Sequence, residues 1–389
     1  MIPTIAPLTP ADEYFNHQIV NTHATVVTPD RNWTEKCWFT LMRKDGALQA
    51  SFGLGKYTNR NVIDGFAGVQ RGTRQYTVRA SRVLLPRGEE MAAGPLRLEI
   101  VRPYEELRLT LAPNDAQPIA YDLTFHATMP AFFEKRDTVI TNGRTGSDVI
   151  RYHQPGTASG WIEIDGERIA VEPGDWYGFR DHSWGVREHV GLDPTDLVPG
   201  HQGGSGGDKT GTAFHFNWLV SRIERPDGSS YDLAYYFRDL GGHDVPDFFS
   251  GYINESDGRQ IPILHFHPEI VYRRSDRAAL RGRVTAVIAG PRGTTISRVF
   301  EIEAIDSDMG FRLLPGLYGR WKGQIHGSYK GDDVLDGECI DDVNAPEKTA
   351  ENYKWQIRDR PVRIREGENG GYGDMESIIL GEYPGVTFE

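Results

Sequence analysis

Apolar and polar residues alternate along most of this chain with a period of two. Residues 33–43 and 47–55 show the pattern clearly, and a Lys-Asp-Gly turn at 44–46 joins them. Such alternation predicts strands with one buried face, and a Gly-containing turn between two runs predicts a hairpin. Further strands are predicted at residues 62–70, 74–85, 96–102, 107–112 and 119–127. The first half is therefore predicted to be an antiparallel barrel or sandwich.

The second half repeats this pattern beyond a glycine-rich segment. Residues 192–211 contain Gly-Gly-Ser-Gly-Gly and few residues to bury, which indicates a flexible junction or a lid. Strand patterns follow at residues 213–225, 231–237, 263–272, 278–289, 294–304, 319–329, 334–341 and 377–380. Helices are indicated only as short pieces, near residues 10–15 and 345–352. We therefore predict an all-β chain of two antiparallel domains, residues 1–200 and 201–389.

Composition narrows the class of function. The 389 residues are 38% hydrophobic and 25% charged, as in an ordinary soluble domain. A formal net charge of −12 argues against nucleic acid and against an anionic membrane surface as partners. No apolar run approaches the ~20 residues of a membrane span, and no signal-peptide pattern is visible. Cys37 and Cys339 are far apart, so we expect reduced thiols and a cytoplasmic protein.

The densest chemistry lies in residues 174–187, directly after a hairpin pattern at residues 160–171. Five aromatic or imidazole rings, two aspartates and two arginines fall within these fourteen residues. In an extended strand one face carries Trp176, Arg180, His182 and Trp184, and the opposite face carries Tyr177 and Asp181. His182 is a candidate general acid or base, and the indoles are candidates to bind an apolar or cationic group. The alternative is a purely structural strand in which these polar groups bond to neighbouring strands.

Two further strands carry imidazoles. On 213–225, His215 and Asn217 share one face and Trp218 lies on the other, so the polar pair lines either a barrel cavity or a solvated face. His265 and His267 are two residues apart, a spacing that can hold a metal ion when a third ligand is supplied from elsewhere. Dinucleotide-binding, phosphate-loop and nucleophile-elbow motifs are absent from the sequence.

The segment Gly178-Phe-Arg-Asp-His-Ser-Trp-Gly185 resembles the Asp-His-Asn/Ser-Trp-Gly signature of the carotenoid hydratase and AttH-like superfamily. This resemblance implies two tandem lipocalin-like β-barrels with an apolar pocket. It implies relatives that add water to isolated double bonds or cyclise polyenes without a cofactor. Matched by motif, the catalytic His and Trp of the family correspond to His182 and Trp184. The hydratases also use a Tyr and an Asp from a later strand, where this chain has His215 and Asn217.

Three functions follow as hypotheses. The first is a cofactor-independent enzyme that acts on a small terpenoid, polyene or aromatic molecule by hydration, isomerisation or cyclisation. Its catalytic residues would be His182, Trp184, Asp181 and His215, and its substrate-binding residues Trp176, Tyr177, Arg180, Asn217 and Trp218. The second is a carrier of an apolar ligand, and the third is a metal-dependent enzyme using His265 and His267. Assembly into a homo-oligomer is left open by the sequence.

Overall fold

The computed structural model describes residues 10–15, 17, 28–141, 144–187, 190–191, 213–241, 246–313, 325–348, 356–383 and 385–389. Over these residues the chain is nearly all β, as predicted. The short helices are three 3-10 turns, Pro10–Glu13, Thr58–Arg60 and Pro291–Gly293, and residues 346–348 are helical. Within the described ranges, no helix has the length and apolar character needed to cross a membrane. The predicted junction at residues 192–211 lies outside the described residues.

The strands are numbered along the chain. Those up to residue 186 are β1 (Trp33–Arg43), β2 (Leu48–Tyr57), β3 (Val62–Arg71), β4 (Arg74–Val83), β5 (Ala92–Ala93), β6 (Leu96–Arg102), β7 (Glu106–Leu111), β8 (Ile119–Ala127), β9 (Phe132–Phe133), β10 (Asp137–Thr141), β11 (Arg144–Ile164), β12 (Glu167–Val171) and β13 (Trp176–Val186). The others are β14 (Phe214–Glu224), β15 (Ser230–Leu240), β16 (Phe248–Glu255), β17 (Gln260–Tyr272), β18 (Ala279–Ala289), β19 (Thr295–Ala304), β20 (Phe311–Arg312), β21 (Asp333–Ile340), β22 (Arg358–Asp359), β23 (Pro361–Glu366), β24 (Asn369–Leu380) and β25 (Val386–Phe388).

The first sheet curls into a barrel that is nearly closed. Its order is β21-β4-β3-β2-β1-β13-β11-β8-β7-β6-β5, and β9, β10 and β12 also pair with β11. At the seam, the buried guanidinium of Arg82 in β4 donates to carbonyl oxygens of Val83, Leu84, Arg87, Glu90 and Ala92. The inward side chains form one apolar core, in which Phe39, Leu54 and Leu123 have no exposed surface.

The second sheet is a closed barrel of eight strands. Its order is β16-β15-β14-β24-β23-β19-β18-β17, and pairing of β16 with β17 completes the ring, with β25 added in parallel on β17. Closure removes the exposed sheet edges of an open sheet. The predicted fold class, two tandem lipocalin-like barrels with few helices, is confirmed.

One strand of the second half belongs to the first sheet. β21 pairs antiparallel with β4, so this segment crosses the predicted boundary at residue 200. The division into residues 1–200 and 201–389 stays a prediction. The strand predicted at 319–329 is not formed over residues 325–329, where Gly327 has φ +73° and its N–H bonds to Asp64. A left-handed backbone of this kind ends a strand and suits glycine.

The two barrels pack through the outer faces of their strands. Trp38, Tyr177 and Phe179 from β1 and β13 meet Phe216 and Trp218 from β14 in one buried aromatic cluster. Trp38 and Trp218 are in edge contact, with ring centroids 5.4 Å apart. Burial of each such side chain contributes roughly 1.5–3 kcal/mol. The contact therefore joins the barrels through apolar surface as well as through the polar groups described below.

Candidate active site

The motif strand β13 lies between β1 and β11, and its two faces look into different surroundings. Trp176 belongs to the core of the first barrel, whereas Tyr177 and Phe179 belong to the cluster between the barrels. The alternation predicted from the sequence is therefore present. Arg180 and His182 follow Trp176 on the inward face and are 0% and 1% exposed.

A segment near the N-terminus, residues 10–15 and 17, enters the first barrel beside this face and is called the arm here. The 3-10 turn Pro10–Glu13 places the carboxylate of Glu13 against Arg180, with two hydrogen bonds of 2.7 and 2.8 Å. The Oε1 atom of Gln154 accepts two further bonds from the same guanidinium, and the N–H of Tyr104 donates to Glu13. Burial alone would raise the pKa of Glu13, but Arg180 lowers it below its usual value. Glu13 is thus a buried carboxylate that ties the arm to the barrel.

His182 is held through both ring nitrogens. The hydroxyl of Tyr152 donates its single proton to Glu13 at 2.9 Å, and its oxygen lies 2.9 Å from Nδ1 of His182. The Nε2 atom lies 2.9 Å from the Oε1 atom of Glu35. A carboxylate only accepts hydrogen bonds, so both contacts are satisfied together when each imidazole nitrogen carries a proton. Burial would raise the pKa of Glu35, but the imidazoles of His17 and His182 lower it.

The face of Trp184 is covered by a ring from the arm. His17 stacks on Trp184 with centroids 3.6 Å apart and an interplanar angle of 11°. Its Nδ1 atom lies 2.5 Å from Oε1 of Glu35, and its Nε2 atom lies 3.2 Å from Oδ1 of Asp12. Phe15 stacks on His182 at 5.0 Å. An imidazole with carboxylates on both nitrogens thus occupies the indole face, which favours cationic and planar groups.

Asp181 does not take part in this network. It points to the opposite side of β13 and pairs with Arg151 at 3.0 Å, and burial raises its pKa. The nearby Glu134 accepts a hydrogen bond of 2.8 Å from the indole N–H of Trp218. Tyr177 and Trp218 also lie between the barrels. The predicted residues Asp181, Tyr177 and Trp218 are therefore separated from His182 by the first sheet.

His215 and Asn217 lie inside the second barrel, away from His182. The Nε2 atom of His215 is 2.8 Å from the hydroxyl of Tyr272, and burial lowers the pKa of His215 to about 3. Asn217 accepts a 2.6 Å hydrogen bond from the hydroxyl of Tyr235 and donates to the backbone carbonyl of residue 376. The structure brings this predicted pair together with core tyrosines and not with the motif of β13.

The predicted metal pair His265 and His267 lies exposed on β17. Over the described ranges, two other groups of three place their ligand atoms within 4.8 Å of one another: His17, Glu35 and His182, and Asp359, Asp374 and Glu376. Two imidazoles and a carboxylate are ligands for a transition metal, and three carboxylates suit a harder cation. Burial raises the pKa of Glu376 to about 8. Neither group includes a residue of the His-x-His pair.

The sequence patterns did not predict the side chains that contact His182 and Trp184. Glu13, His17 and Tyr152 come from segments with no pattern that links them to β13. One signal was present for Glu35, which takes an inward position of β1 beside Cys37 and Phe39. A charged residue at a core-facing position of an alternating strand needs a buried partner.

Solved structures resemble this fold over nearly its whole length. A protein from Nitrosomonas europaea assigned as an AttH protein is 14% identical, with a TM-score of 0.53, and the alignment covers 96% of this chain and 98% of that one. Kievitone hydratase from Nectria haematococca is 11% identical over 94% and 95% of the two chains, with a TM-score of 0.40. CghA is 10% identical over 92% and 90%, with a TM-score of 0.46. The first match confirms the predicted AttH-like resemblance at the level of the fold.

Sequence comparison adds a family but no activity. No curated protein sequence matches the chain. One family model matches residues 8–389, and its description is a family of unknown function, DUF8625.

Proposed function

Because the chain belongs to the family of unknown function DUF8625, its activity has to be argued from the site, and we propose a cofactor-independent enzyme. It acts on a small hydrophobic terpenoid, polyene or aromatic molecule by acid/base chemistry at carbon, through hydration, isomerisation or cyclisation. The observation that carries this proposal is the bonding of His182, whose two nitrogens face the oxygen of Tyr152 and the carboxylate of Glu35.

In this proposal His182 is the acid and Glu35 its partner. An imidazole with a proton on each nitrogen can give one to an alkene carbon, and Glu35 next to it can receive a proton in a later step. Tyr152, itself bonded to Glu13, orients the ring from its other nitrogen. The face of Trp184 stabilises positive charge that develops on the substrate. General acid catalysis of this kind contributes about 10²–10⁴-fold in rate.

The substrate takes the place of an arm side chain. His17 lies flat on Trp184, and Phe15 lies on His182. A planar unsaturated group that reaches Trp184 therefore replaces the ring of His17, which otherwise fills that position. Two aromatic rings beside the site, Phe133 at 6.5 Å from Trp184 and Phe15 at 5.0 Å from His182, favour an unsaturated hydrocarbon over a polar substrate.

Deuterium incorporation tests the reaction without knowledge of the natural substrate. The protein is incubated in D₂O containing EDTA with an acyclic terpenoid, a conjugated polyene and an alkenyl aromatic compound. Mass spectrometry then detects carbon-bound deuterium. We expect incorporation into at least one class, a loss of about 10²–10⁴-fold in His182→Gln, and a loss of about 30-fold in Trp184→Leu from the missing cation–π interaction.

His126→Gln is the matched control, because this histidine of β8 bonds to the hydroxyl of Ser159 and lies outside the network of His182. Its turnover should equal that of the unaltered protein, and circular dichroism should show all three variants folded. The carrier hypothesis gives the opposite result. An apolar fluorescent probe would bind His182→Gln with unchanged affinity, and no substrate would gain deuterium.

A further inference from the structure

A second cluster of titratable groups lies between the barrels and has no part in the proposed reaction. It consists of Asp359 in β22 and of Asp374 and Glu376 in β24. One carboxylate oxygen of each lies within 4.8 Å of the other two. Asp359 and Asp374 are 0% exposed. Three carboxylates this close and this dry repel one another unless protons or a cation lie among them.

The oxygens of this carboxylate cluster are short of donors. The Oδ2 atom of Asp359 accepts from the indole N–H of Trp38 at 3.3 Å and from the hydroxyl of Ser51 at 3.0 Å. The side chain of Thr40 also bonds to this carboxylate, whereas both carboxylate oxygens of Asp374 are buried without a hydrogen-bond partner in the described part of the chain. Arg360, the positive charge that acts on Asp374, donates from Nη1 to backbone carbonyls of residues 306 and 307, and its Nε and Nη2 atoms also have no hydrogen-bond partner among the described residues. Buried oxygens of this kind indicate a bound water or ion.

A hydroxyl from the other barrel supports this interpretation independently. Tyr177 of β13 is 6% exposed, and its hydroxyl has no partner among the described residues. Its ring stacks on Tyr372 with centroids 4.7 Å apart. Tyr372 and Asp374 lie two residues apart on β24 and so share a face of that strand. Burial and then the charge of Asp374 raise the pKa of Tyr177, so this hydroxyl and the carboxylate of Asp374 interact in the buried space between the two barrels.

We propose that Asp359, Asp374 and Glu376 bind a hard divalent cation, with Ca²⁺ preferred, at the contact between the barrels. All the candidate ligands are oxygens, which suit Ca²⁺, Mg²⁺ and Mn²⁺ better than softer metals. Ca²⁺ accepts six to eight oxygens in flexible geometry, whereas Mg²⁺ retains several waters in a strict octahedron. Three carboxylates from two different strands do not impose an octahedral arrangement, so the cluster favours Ca²⁺. The proposal goes beyond the acid/base function and does not depend on it.

Terbium luminescence tests the site with a donor that the protein already provides. Tb³⁺ replaces Ca²⁺ and emits when a nearby indole is excited, and the indole of Trp38 is bonded to Asp359. With EDTA-treated protein transferred to chelator-free buffer, we expect sensitised emission that excess Ca²⁺ abolishes, and a Ca²⁺-dependent rise in Tm. In titration calorimetry, Asp374→Asn should weaken the Ca²⁺ affinity by about 10–100-fold or more, because loss of an outer-shell group alone has an effect of that size. Trp38→Phe should reduce the emission, because it removes this indole.

Asp232→Asn is the matched control, since Asp232 is also a fully buried carboxylate at the barrel contact but bonds to His153 and Asn254. Its Ca²⁺ affinity should be unchanged. Absence of Ca²⁺ binding to the unaltered protein would overturn the proposal, as would equal affinities in the unaltered protein and Asp374→Asn. Should Asp374→Asn not fold, loss of Ca²⁺ binding in Glu35→Gln would overturn it by assigning the ion to His17, Glu35 and His182. The deuterium test is run in EDTA, so the two proposals fail separately.

Discussion

At the scale of single residues, the first barrel contains buried charges on β13 whose partners come from distant segments of the chain. Arg180 meets Glu13 of the arm, and His182 meets Glu35 of β1. A buried charge without such a partner costs several kcal/mol. The inward face of β13 is therefore compatible with a barrel interior only because the arm supplies a carboxylate.

Removal of that carboxylate should be costly. Glu13→Gln leaves the guanidinium of Arg180 buried without its counter-charge, and we expect a loss of about 3–5 kcal/mol in the free energy of unfolding. Urea denaturation measures this loss. The matched control is Glu167→Gln, which breaks an exposed ion pair with Arg71 and should cost at most about 1 kcal/mol. Equal effects of the two substitutions would show that the arm is not held by this pair.

At the scale of elements, the sequence predicted those strands whose two faces differ in polarity. β1 and β14 were found close to their observed bounds, and the assignment of faces was right for β13 and β14. β11 was not predicted over most of its length, because no strand pattern was found between residues 127 and 160. This strand pairs with β8, β9, β10, β12 and β13, and its buried residues Tyr152, His153 and Gln154 are polar on both faces. No period of two remains in such a strand.

The candidate site could be predicted only for the residues that lie on the motif strand itself. His182 and Trp184 carry a local signature, and the inward face of their strand follows from alternation. Glu13, His17 and Tyr152 reach them only through the folding of the arm and of β11. The carboxylate cluster has residues on β22 and β24. It was not predicted either, because residues on two different elements show no common spacing in the sequence.

β11 also supplies an ion pair between the barrels that should make stability depend on pH. Burial alone would lower the pKa of His153, but Asp232 at 2.7 Å and Glu134 raise it to about 9. The unfolded value is near 6.5. The stabilising contribution is therefore complete below about pH 6.5 and disappears as pH rises through 9, at up to about 1.4 kcal/mol per pH unit.

Urea denaturation between these pH values measures the effect of His153, with His153→Gln as the comparison. The variant should be less stable than the unaltered protein at pH 6.5 and should show a flatter profile up to pH 9. A profile with the same slope in both proteins would assign the pH dependence to other groups.

At the scale of the whole molecule, the two barrels are joined by more than their touching faces. The segment that follows the second barrel's β19 returns to the first sheet, where Phe311 of β20 stacks on Phe66 and β21 pairs with β4. The hydrophobic cluster between the barrels continues through Phe311 and Leu313. We therefore expect the two barrels to unfold together, because each buries apolar side chains of the other half of the chain.

Gly68 tests this coupling. It lies in β3 where Phe311 covers the first sheet, and a Cβ atom there would overlap the ring of Phe311 and lie 2.7 Å from the carbonyl oxygen of Tyr76. Neither neighbour has open space to move into, because Phe311 is 0% exposed and the carbonyl belongs to β4. Gly68→Ala is expected to lower the free energy of unfolding by about 1–3 kcal/mol, as overpacking does.

Gly174→Ala is the matched control, since nothing lies within 4 Å of its Cβ position. Its effect on stability should be neutral or slightly stabilising. Calorimetry should show a single transition that moves to lower temperature in Gly68→Ala, whereas two transitions, of which only one moves, would mean that the barrels unfold independently.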